Sequence, residues 1–347
     1  MLRDVLIVGA GPSGLATAIA AKQHGLDYVI VEKGVLVNSI FRFPVHMVFF
    51  TTPELLEIGG LPLVTPFDKP TRLEALRYYR RVVEAFGLQI AFHEQVMTIE
   101  REGDAFAVTT ADVGPEAEPG ERRRVREARA VVLAIGYYDH PNCLGVPGET
   151  LPHVSHYYHE AHPYYRRRVV IVGGRNSAAE AALELFRAGA HVTLVHRGAE
   201  LGASIKYWVR PDIENRIKEG SIAARFETRV VEIRPQSVIV EPVGSGLGEV
   251  ASGLSRKLQV PQEIPADAVL LLTGYRPDVA LMQRAGIHCD EQTLAPELHP
   301  DTFETNVPNV FIAGGAVAGR NTGSIFIENG RFHGERIIKV LSDRFRS

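Results

Sequence analysis

The stretch Val5-Leu6-Ile7-Val8-Gly9-Ala10-Gly11-Pro12-Ser13-Gly14 decides the fold, because an apolar strand runs directly into a Gly-x-Gly-x-x-Gly loop. In such a loop the first glycine makes a tight turn, the second lets the backbone approach a pyrophosphate, and the third lets a helix pack on the strand. The Ala-rich run 15–24 predicts that helix, and the apolar run 28–31 predicts the next strand. The pattern is typical of a dinucleotide site.

Two further residues complete this first site. Glu32 lies 18 residues after Gly14, close to the spacing of an acid that binds ribose hydroxyls. Ser13 either hydrogen-bonds the nucleotide or caps the helix, and the frequency of serine at helix N-termini favours the cap. The predicted first site therefore consists of Gly9, Gly11, Pro12, Ser13, Gly14 and Glu32.

A second strand–loop–helix pattern begins at residues 169–172 and continues as Gly173-Gly174-Arg175-Asn176-Ser177-Ala178. Arg175 and Ala178 replace the second and third glycines, so the Arg175 guanidinium either crowds a pyrophosphate or binds its phosphates. His196-Arg197 ends the next apolar run. An acid there would repel a ribose 2′-phosphate, whereas these two residues attract one unless Arg197 is only a solvated charge. The second loop therefore predicts an NADPH site formed by Gly173, Gly174, Arg175, Asn176, Ser177, Ala178, His196 and Arg197.

The size and composition are those of a globular protein with two domains. The chain has 347 residues, of which 45% are hydrophobic and 23% charged. The net charge of −3 argues against binding to nucleic acid or to an anionic membrane. No apolar run is long enough for a membrane-spanning helix. Because the first strand begins within a few residues of Met1, we expect no signal peptide. The two cysteines, Cys143 and Cys289, are far apart in sequence, which fits a reducing compartment, and we expect a cytoplasmic protein.

The order of the patterns predicts an α/β fold of two Rossmann-like three-layer (β/β/α) dinucleotide-binding domains, the second inserted in the first. After the first unit come a helical pattern over 71–86 and strand patterns over 96–100, 105–110 and 130–135. The strand pattern 269–273 closes the second unit, and 310–314 with a helix from about 323 to 341 returns to the first. We predict domains of 1–152 with 287–347 and of 153–286. The stretches 112–121 and 244–255, rich in loop-forming residues, are predicted surface loops.

The whole chain resembles the flavoproteins of the thioredoxin reductase type, and more closely the bacillithiol disulfide reductases, also called YpdA-like proteins. The blocks similar to that subfamily are spread along the chain: 37–40, 49–50, 56–59, 136–138, 146–149, 174–178 and 327–334. The resemblance implies FAD in the first domain, NADPH in the inserted domain, and a homodimer or homotetramer. It adds Gly274 to the NADPH site, and to the FAD site it adds Lys33, Asn38, Ser39, Gly136, Gly314 and Gly315.

Three departures from the family pattern bear on the chemistry. Thioredoxin reductases carry a Cys-x-x-Cys pair before the second glycine loop, whereas residues 155–160 here contain no thiol. Ser13 stands where the subfamily has its proposed reactive cysteine, and a hydroxyl cannot form a mixed disulfide. The late flavin motif, which usually ends in Gly-Asp, here ends in Gly314-Gly315.

No catalytic residue follows from the sequence, because hydride transfer from NADPH to flavin needs no acid or base from the protein. His333 and Glu328 either donate protons beside the flavin or pack in an interface. A helix beginning near 324–326 is expected to direct N–H groups at the flavin. We expect Cys143 to be structural or incidental rather than catalytic, and we expect no metal site. The four histidines of 153–162, which recur at every third position, are instead interpreted as part of a polar hinge.

Three functions remain open. In the first, the chain passes electrons from NADPH through FAD to an external acceptor, such as the disulfide of bacillithiol or another small-molecule disulfide. In the second, the acceptor is a small electron-carrier protein, as for a ferredoxin or flavodoxin NADP⁺ reductase, which the missing dithiol favours. In the third, which is of another class, the chain is a flavin-bearing sensor of the NADPH/NADP⁺ ratio.

Overall fold

The computed structural model describes residues 1–115, 117, 122–243 and 261–346. The predicted loop 244–255 lies outside the described residues, as do five positions of the predicted loop 112–121. The strands are β1 Leu2–Val8, β2 Tyr28–Glu32, β3 Ile90–Phe92, β4 Glu94–Glu102, β5 Ala105–Asp112, β6 Arg123–Leu133, β7 Val154–Ser155, β8 Arg168–Val172, β9 His191–Val195, β10 Ala223–Arg225, β11 Thr228–Arg234, β12 Ser237–Pro242, β13 Gln262–Pro265, β14 Ala268–Leu271 and β15 Val310–Ile312. The α-helices are α1 Pro12–Gln23, α2 Asn38–Phe41, α3 Arg72–Phe86, α4 Asn176–Arg187, α5 Arg210–Lys218, α6 Val279–Arg284, α7 Ile327–Gly330 and α8 His333–Arg346.

The chain forms two compact units, Met1–His140 with Tyr275–Ser347, and Pro141–Gly274. The domain boundaries predicted from the sequence, 152/153 and 286/287, each lie twelve residues after the boundaries in the structure. Packing explains the difference at each end. Leu281 and Met282 of α6 are buried in the core of the first unit against β1 and β6, whereas Leu144 and Leu151 pack on the core of the second unit.

The first unit is built on a seven-stranded sheet in which the long strand β6 joins two layers. Its C-terminal part pairs in parallel with β1 and β15, and β2 and β3 extend this parallel sheet on the other side of β1. Its N-terminal part pairs antiparallel with β5, which pairs antiparallel with β4. The first helix, α1, covers the parallel sheet with a face of buried alanines. The second unit repeats this plan with a five-stranded parallel sheet, β10-β9-β8-β14-β7, and a separate antiparallel sheet, β11-β12-β13.

The predicted fold class is therefore confirmed, but the predicted C-terminal helix over 323–341 is wrong as a single element. The helices α7 and α8 divide this region and leave Arg331 and Phe332 between them. A Cβ on Gly330 would lie 3.2 Å from the Cα of Gly314, and a Cβ on Gly334 would lie 2.6 Å from the backbone nitrogen of Thr17 in α1. The turn between α7 and α8 therefore lets the backbone at Gly330 and Gly334 pack directly against the backbone at Gly314 and Thr17. Within the described part of the chain, no helix has the length and apolar character needed to cross a membrane.

Candidate functional site

A groove in the first unit collects the residues predicted for FAD. Its volume, counted with the solvent at its open side, is about 1250 Å³. Gly14 is buried and does not line the groove. The other predicted residues all line it: Gly9, Gly11, Pro12, Ser13, Glu32, Lys33, Asn38, Ser39, Gly136, Gly314 and Gly315. The groove thus brings together strand ends and loops from both sequence segments of the unit.

The first glycine loop has the backbone that its motif predicts. Gly9 has a φ of +106°, a conformation that residues with side chains rarely adopt. Gly11 is the N-cap of α1, and a Cβ there would meet no atom within 4 Å. A ligand can therefore approach the backbone at Gly11 and the free N–H groups of the helix start. No side chain caps α1, so the interpretation of Ser13 as a cap is wrong: the tight loop places a glycine at that position.

Glu32, at the end of β2, closes the loop from the opposite side. Its two carboxylate oxygens accept hydrogen bonds from the backbone N–H groups of Ala10 and Gly34, each at 2.7 Å. Burial raises the pKa of this carboxyl, and the two N–H donors oppose the shift. Because each oxygen has a second lone pair, Glu32 can hold the glycine loop and still accept from a ligand hydroxyl in the groove.

Asp139 organises the polar side chains near this end of the groove. Lys33 places its Nζ 3.0 Å from one carboxylate oxygen of Asp139. The Nδ2 of Asn38 donates to the other oxygen at 3.4 Å, and Arg42 approaches that oxygen to 3.5 Å. The predicted residues Lys33 and Asn38 are thus positioned by an acid that the sequence analysis did not select.

One wall of the groove carries aromatic side chains. Tyr138 packs edge-on against Phe43, with ring centroids 4.9 Å apart, and lies 4.4 Å from the ring of Tyr275 at a tilt of 40°. Such a wall can pack against a planar ring system. Only the block 136–138 pointed to part of this wall. The groove-lining residues that sequence reasoning did not propose include Phe43, Glu94, Gln95, Tyr137, Tyr138, Asp139, His140 and Asp278.

Ser13 and Gly314 meet on the floor of the groove. A Cβ on Gly314 would lie 2.9 Å from the Cβ of Ser13 and would overlap the Ser13 hydroxyl. A Cβ on Gly315 would lie 2.7 Å from the ring of Tyr137. The two late glycines are therefore needed to make room for Ser13 and Tyr137. The aspartate that the family has at the second position would not fit here without moving the Tyr137 ring.

His333 supports this floor from below. Its Nδ1 accepts a hydrogen bond from the N–H of Gly314 at 3.2 Å, and its ring stacks on Phe303 with centroids 4.0 Å apart. The side chain is buried and does not line the groove. Burial, aided by the charge of Arg336, lowers the pKa of His333 to about 4. A neutral acceptor in this place favours a packing role over proton donation.

This environment gives a pH prediction. Because the folded pKa of His333 lies below the ordinary value of 6.5, the unfolded chain binds the proton more readily. The contribution of His333 to stability is therefore complete above about pH 6.5 and is lost as the pH falls toward 4. His333→Asn, whose side-chain oxygen can also accept from Gly314, should show a shallower fall in melting temperature over this range. An unchanged slope in thermal melts of the variant would contradict this role.

In the second unit the degenerate glycine loop also leads from a strand into a helix. Arg175 is the N-cap residue of α4 and is exposed, with an extended backbone that needs no glycine. The Asn176 side chain makes two hydrogen bonds with the segment 204–206. Its Nδ2 donates to the carbonyl of Ser204 at 3.0 Å, and its Oδ1 accepts from the N–H of Lys206 at 2.9 Å. Asn176 thus anchors the 204–206 segment, and Ser177 and Ala178 continue the first turn of α4.

The strand end of β9 carries the positive charge predicted there. The ring of His196 is held between two glycines, because a Cβ on Gly174 or on Gly198 would lie 2.5 Å or 2.7 Å from it. Burial lowers the pKa of His196, and the nearby charges of Arg197 and Arg175 lower it further. His196 therefore packs against the glycine loop as a structural residue. The positive charge comes from the exposed Arg197 and Arg175. Gly274 lies next to this unit's first residues, since its carbonyl accepts from the N–H of Asn142 at 2.9 Å.

Thiols do not form a redox pair in this chain. Cys143 belongs to the second unit and is exposed, and Cys289 belongs to the first. Both are free, and burial raises the pKa of the Cys289 thiol. The histidines of the predicted hinge do not share one environment. His156 lies beside Glu149, with its Nε2 3.4 Å from a carboxylate oxygen, whereas His159 and His162 are exposed.

Two nucleotide loops on two Rossmann-like units define the class of this chain as a two-nucleotide oxidoreductase, and comparison with known proteins gives the family. The family model for pyridine nucleotide-disulphide oxidoreductases matches residues 6–314. The chain is 40% identical over 340 residues to the bacilliredoxin reductase of Bacillus subtilis, covering 98% of this chain and 97% of that protein. The solved bacillithiol disulfide reductase of Bacillus cereus is 39% identical and superposes with a TM-score of 0.91, covering 99% of this chain and all of the other. A ferredoxin–NADP reductase of Ignicoccus hospitalis is 26% identical, with 90% of each chain covered.

The chain belongs to the pyridine nucleotide-disulphide oxidoreductase family. It is a flavoprotein oxidoreductase that takes electrons from NADPH through FAD, as predicted.

Proposed function

We propose that this chain reduces a bacillithiol-linked disulfide with electrons from NADPH. The observation that carries the proposal is the 40% identity with the bacilliredoxin reductase of Bacillus subtilis over nearly the whole of both chains. The overall reaction converts NADPH, a proton and a disulfide into NADP⁺ and two thiols. Bound FAD would supply the two-electron redox chemistry that links NADPH to the disulfide.

We assign the groove of the first unit to FAD. The open space at Gly11 allows the backbone to approach a pyrophosphate, and the N-terminus of α1 is suited to its negative charge. Glu32 is suited to a ribose hydroxyl, because its carboxylate lies at the strand end beside the loop. Ser13, Gly314 and Gly315 form the floor, and Tyr138 with Phe43 forms an aromatic wall. The fit to a dinucleotide rests on the open space at Gly11 and on the donor groups around it.

We assign the loop of the second unit to NADPH. The start of α4 and the exposed guanidinium of Arg175 are suited to the pyrophosphate, and Arg197 to the 2′-phosphate. His196 would position this end of the loop rather than bind as a cation, since its pKa is lowered. We place Gly173, Gly174, Asn176, Ser177, Ala178 and Gly274 in the same site.

A disulfide reductase of this kind has to act without an enzyme dithiol. The chain has only two cysteines, and Ser13 lies in the groove where a thiol would allow a mixed disulfide. We therefore propose that both thiols formed in the reaction belong to the acceptor, and that Ser13 shapes the floor of the groove.

The acceptor is tested by measuring NADPH oxidation with bacillithiol disulfide, with a bacillithiolated bacilliredoxin, and with a ferredoxin or flavodoxin. We expect turnover with at least one of the two bacillithiol acceptors. Ser13→Cys should raise the disulfide-dependent rate by about tenfold or more, because a thiolate is a nucleophile and a hydroxyl is not. Ser13→Ala, the matched control, changes the same contact without adding a thiol. Absence of turnover with both bacillithiol acceptors would refute the proposal.

A one-electron carrier protein is a second possible acceptor, and the absence of a Cys-x-x-Cys pair from the chain favours it. The ferredoxin–NADP reductase of Ignicoccus hospitalis matches 90% of the chain, so a one-electron carrier protein is our alternative. Rapid reduction of ferredoxin or flavodoxin by NADPH, with none of any disulfide, would favour it.

We also propose that the protein is cytoplasmic and forms a homodimer or homotetramer. The low cysteine content supports a reducing compartment. The resemblance to thioredoxin-reductase-type flavoproteins supports a homo-oligomer, which light scattering during gel filtration would measure directly.

A further inference from the structure

A cluster of three different metal-binding side chains lies in the second unit. Cys143, Glu149 and His156 each offer one ligand atom, and these atoms all lie within 4.8 Å of one another. The three residues are spaced by six and seven positions and match no zinc motif in the sequence. Among the described residues, this is the one group of three or more His, Cys, Asp or Glu side chains whose ligand atoms lie this close together.

The scaffold fixes two of the three ligands. Both carboxylate oxygens of Glu149 accept backbone hydrogen bonds, from the N–H of Leu144 at 2.8 Å and that of Gly145 at 2.7 Å. These donors directly follow Cys143, so the carboxylate is held beside the thiol. His156 follows β7, which pairs with β14 in the parallel sheet. The side chains of Glu149 and His156 are only 10% and 18% exposed, so both are positioned before any ligand binds.

The loop that carries Cys143 and Glu149 is itself anchored. The carbonyl of Pro147 accepts from the N–H of Ile233 in β11 at 2.8 Å. A Cβ on Gly148 would overlap the carbonyl oxygen of Ile233, so the loop lies directly on that strand. A ligand set built on anchored backbone loses little conformational entropy when it binds a metal.

We propose that Cys143, Glu149 and His156 form a Zn²⁺ site. In tetrahedral zinc, the ligand atoms lie about 3.4–3.6 Å from one another. The Nε2 of His156 is already 3.4 Å from an oxygen of Glu149. The Sγ of Cys143 lies within 4.8 Å of the other two ligand atoms. Because Cys143 is exposed, a side-chain rotation can bring its thiol to zinc-binding distance.

The donor types select zinc over other common cations. A thiolate excludes Mg²⁺ and Ca²⁺ as preferred ions, and the mixture of sulfur, nitrogen and oxygen ligands is typical of zinc. One thiolate and one carboxylate also balance the charge of Zn²⁺. Three protein ligands leave a fourth position for water or an added thiolate. This site departs from the expectation that the chain holds no metal.

The test uses the FAD-loaded protein after chelator treatment. Calorimetric titration with Zn²⁺ should give one ion per chain. Each of Cys143→Ser, Glu149→Gln and His156→Gln should weaken binding by about ten- to a hundredfold or more. Cys289→Ser and His159→Gln are the matched controls, and their Zn²⁺ affinity should equal that of the wild type.

A second readout identifies the ligand directly. Co²⁺ in place of Zn²⁺ should give ligand-field absorption at wavelengths beyond the flavin bands and a sulfur-to-metal charge-transfer band that Cys143→Ser removes. Thermal melts and flavin content show whether each variant is folded. The inference does not depend on which acceptor the enzyme reduces. Failure of the wild type to bind one Zn²⁺, or equal binding by wild type and Cys143→Ser, would overturn it.

Discussion

Gly14→Ala is expected to yield a protein without bound FAD. A Cβ at this position would overlap the carbonyl oxygen of Gly9 and lie 3.1 Å from its carbonyl carbon and 3.3 Å from the Cβ of Ala134. Because the first of these obstacles is backbone, no side-chain rotation relieves it. The start of α1 would have to move away from β1, and the cradle would lose its shape. Overpacking of this kind costs roughly 1–3 kcal/mol of unfolding free energy. Flavin absorbance relative to protein absorbance measures the loss, and thermal melts measure the destabilisation.

Gly11→Ala is the matched control for this experiment. Gly11 has a φ of −75°, and a Cβ there would meet no atom within 4 Å, so the folded apoprotein should lose no more than about 1 kcal/mol, the cost of alanine at an N-cap. The added methyl group would stand where the pyrophosphate approaches, so FAD affinity should still fall. The two variants thus separate damage to the fold from damage to the site. Retention of stoichiometric FAD by Gly14→Ala would show that the first loop does not form the cradle.

The part of the fold that the sequence predicted well depends on short-range pattern. A strand, a glycine loop and a helix follow one another within the first 23 residues, and their geometry is fixed by neighbouring residues. The second unit repeats this arrangement in β8 and α4. The strand-end residues Glu32 and Arg197 could be located for the same reason. Glu32 is the last residue of β2 and Arg197 lies two residues after the end of β9, so local spacing was sufficient to locate both.

The rest of the groove could not be read in this way, because it is assembled by long-range pairing. Asp139 and Tyr138 reach it from the end of β6, which pairs with β1, and Asp278 reaches it after the whole second unit. No spacing in the sequence relates these positions. The cluster of Cys143, Glu149 and His156 was missed for the same reason, since its ligands meet only after the loop 146–149 lies on β11.

Two local predictions failed because they rested on the propensity of single residues. Ser13 is a residue common at helix starts, yet the tight turn of the glycine loop places Gly11 at the N-cap. The C-terminal helix was expected to be continuous, yet it breaks before His333, where Gly330 and Gly334 pack against Gly314 and Thr17. In the second case a backbone-to-backbone contact decides the outcome. Propensity scales describe single elements and contain no information about such contacts.

Arg197→Glu should convert the cofactor preference from NADPH toward NADH. A charge-assisted hydrogen bond contributes roughly 1.5–3 kcal/mol, so its loss alone lowers kcat/KM for NADPH by about ten- to a hundredfold, and the new carboxylate adds repulsion of the 2′-phosphate. The acid would stand where NAD-specific folds bind the ribose hydroxyls, so kcat/KM for NADH should be maintained or rise. Steady-state kinetics with both nucleotides measures the ratio.

The neighbouring residues make this prediction specific. Arg197→Gln, which removes charge without reversing it, should fall between wild type and Arg197→Glu. Arg187→Gln removes an exposed arginine at the opposite end of α4, where it pairs with Asp212, and should leave the nucleotide preference unchanged. His196→Asn should change the preference less than either Arg197 variant, because burial and the two arginines lower the pKa of His196 and favour its neutral form. If His196→Asn abolished the preference while Arg197→Glu preserved it, the imidazole rather than the guanidinium would be the group that recognises the phosphate.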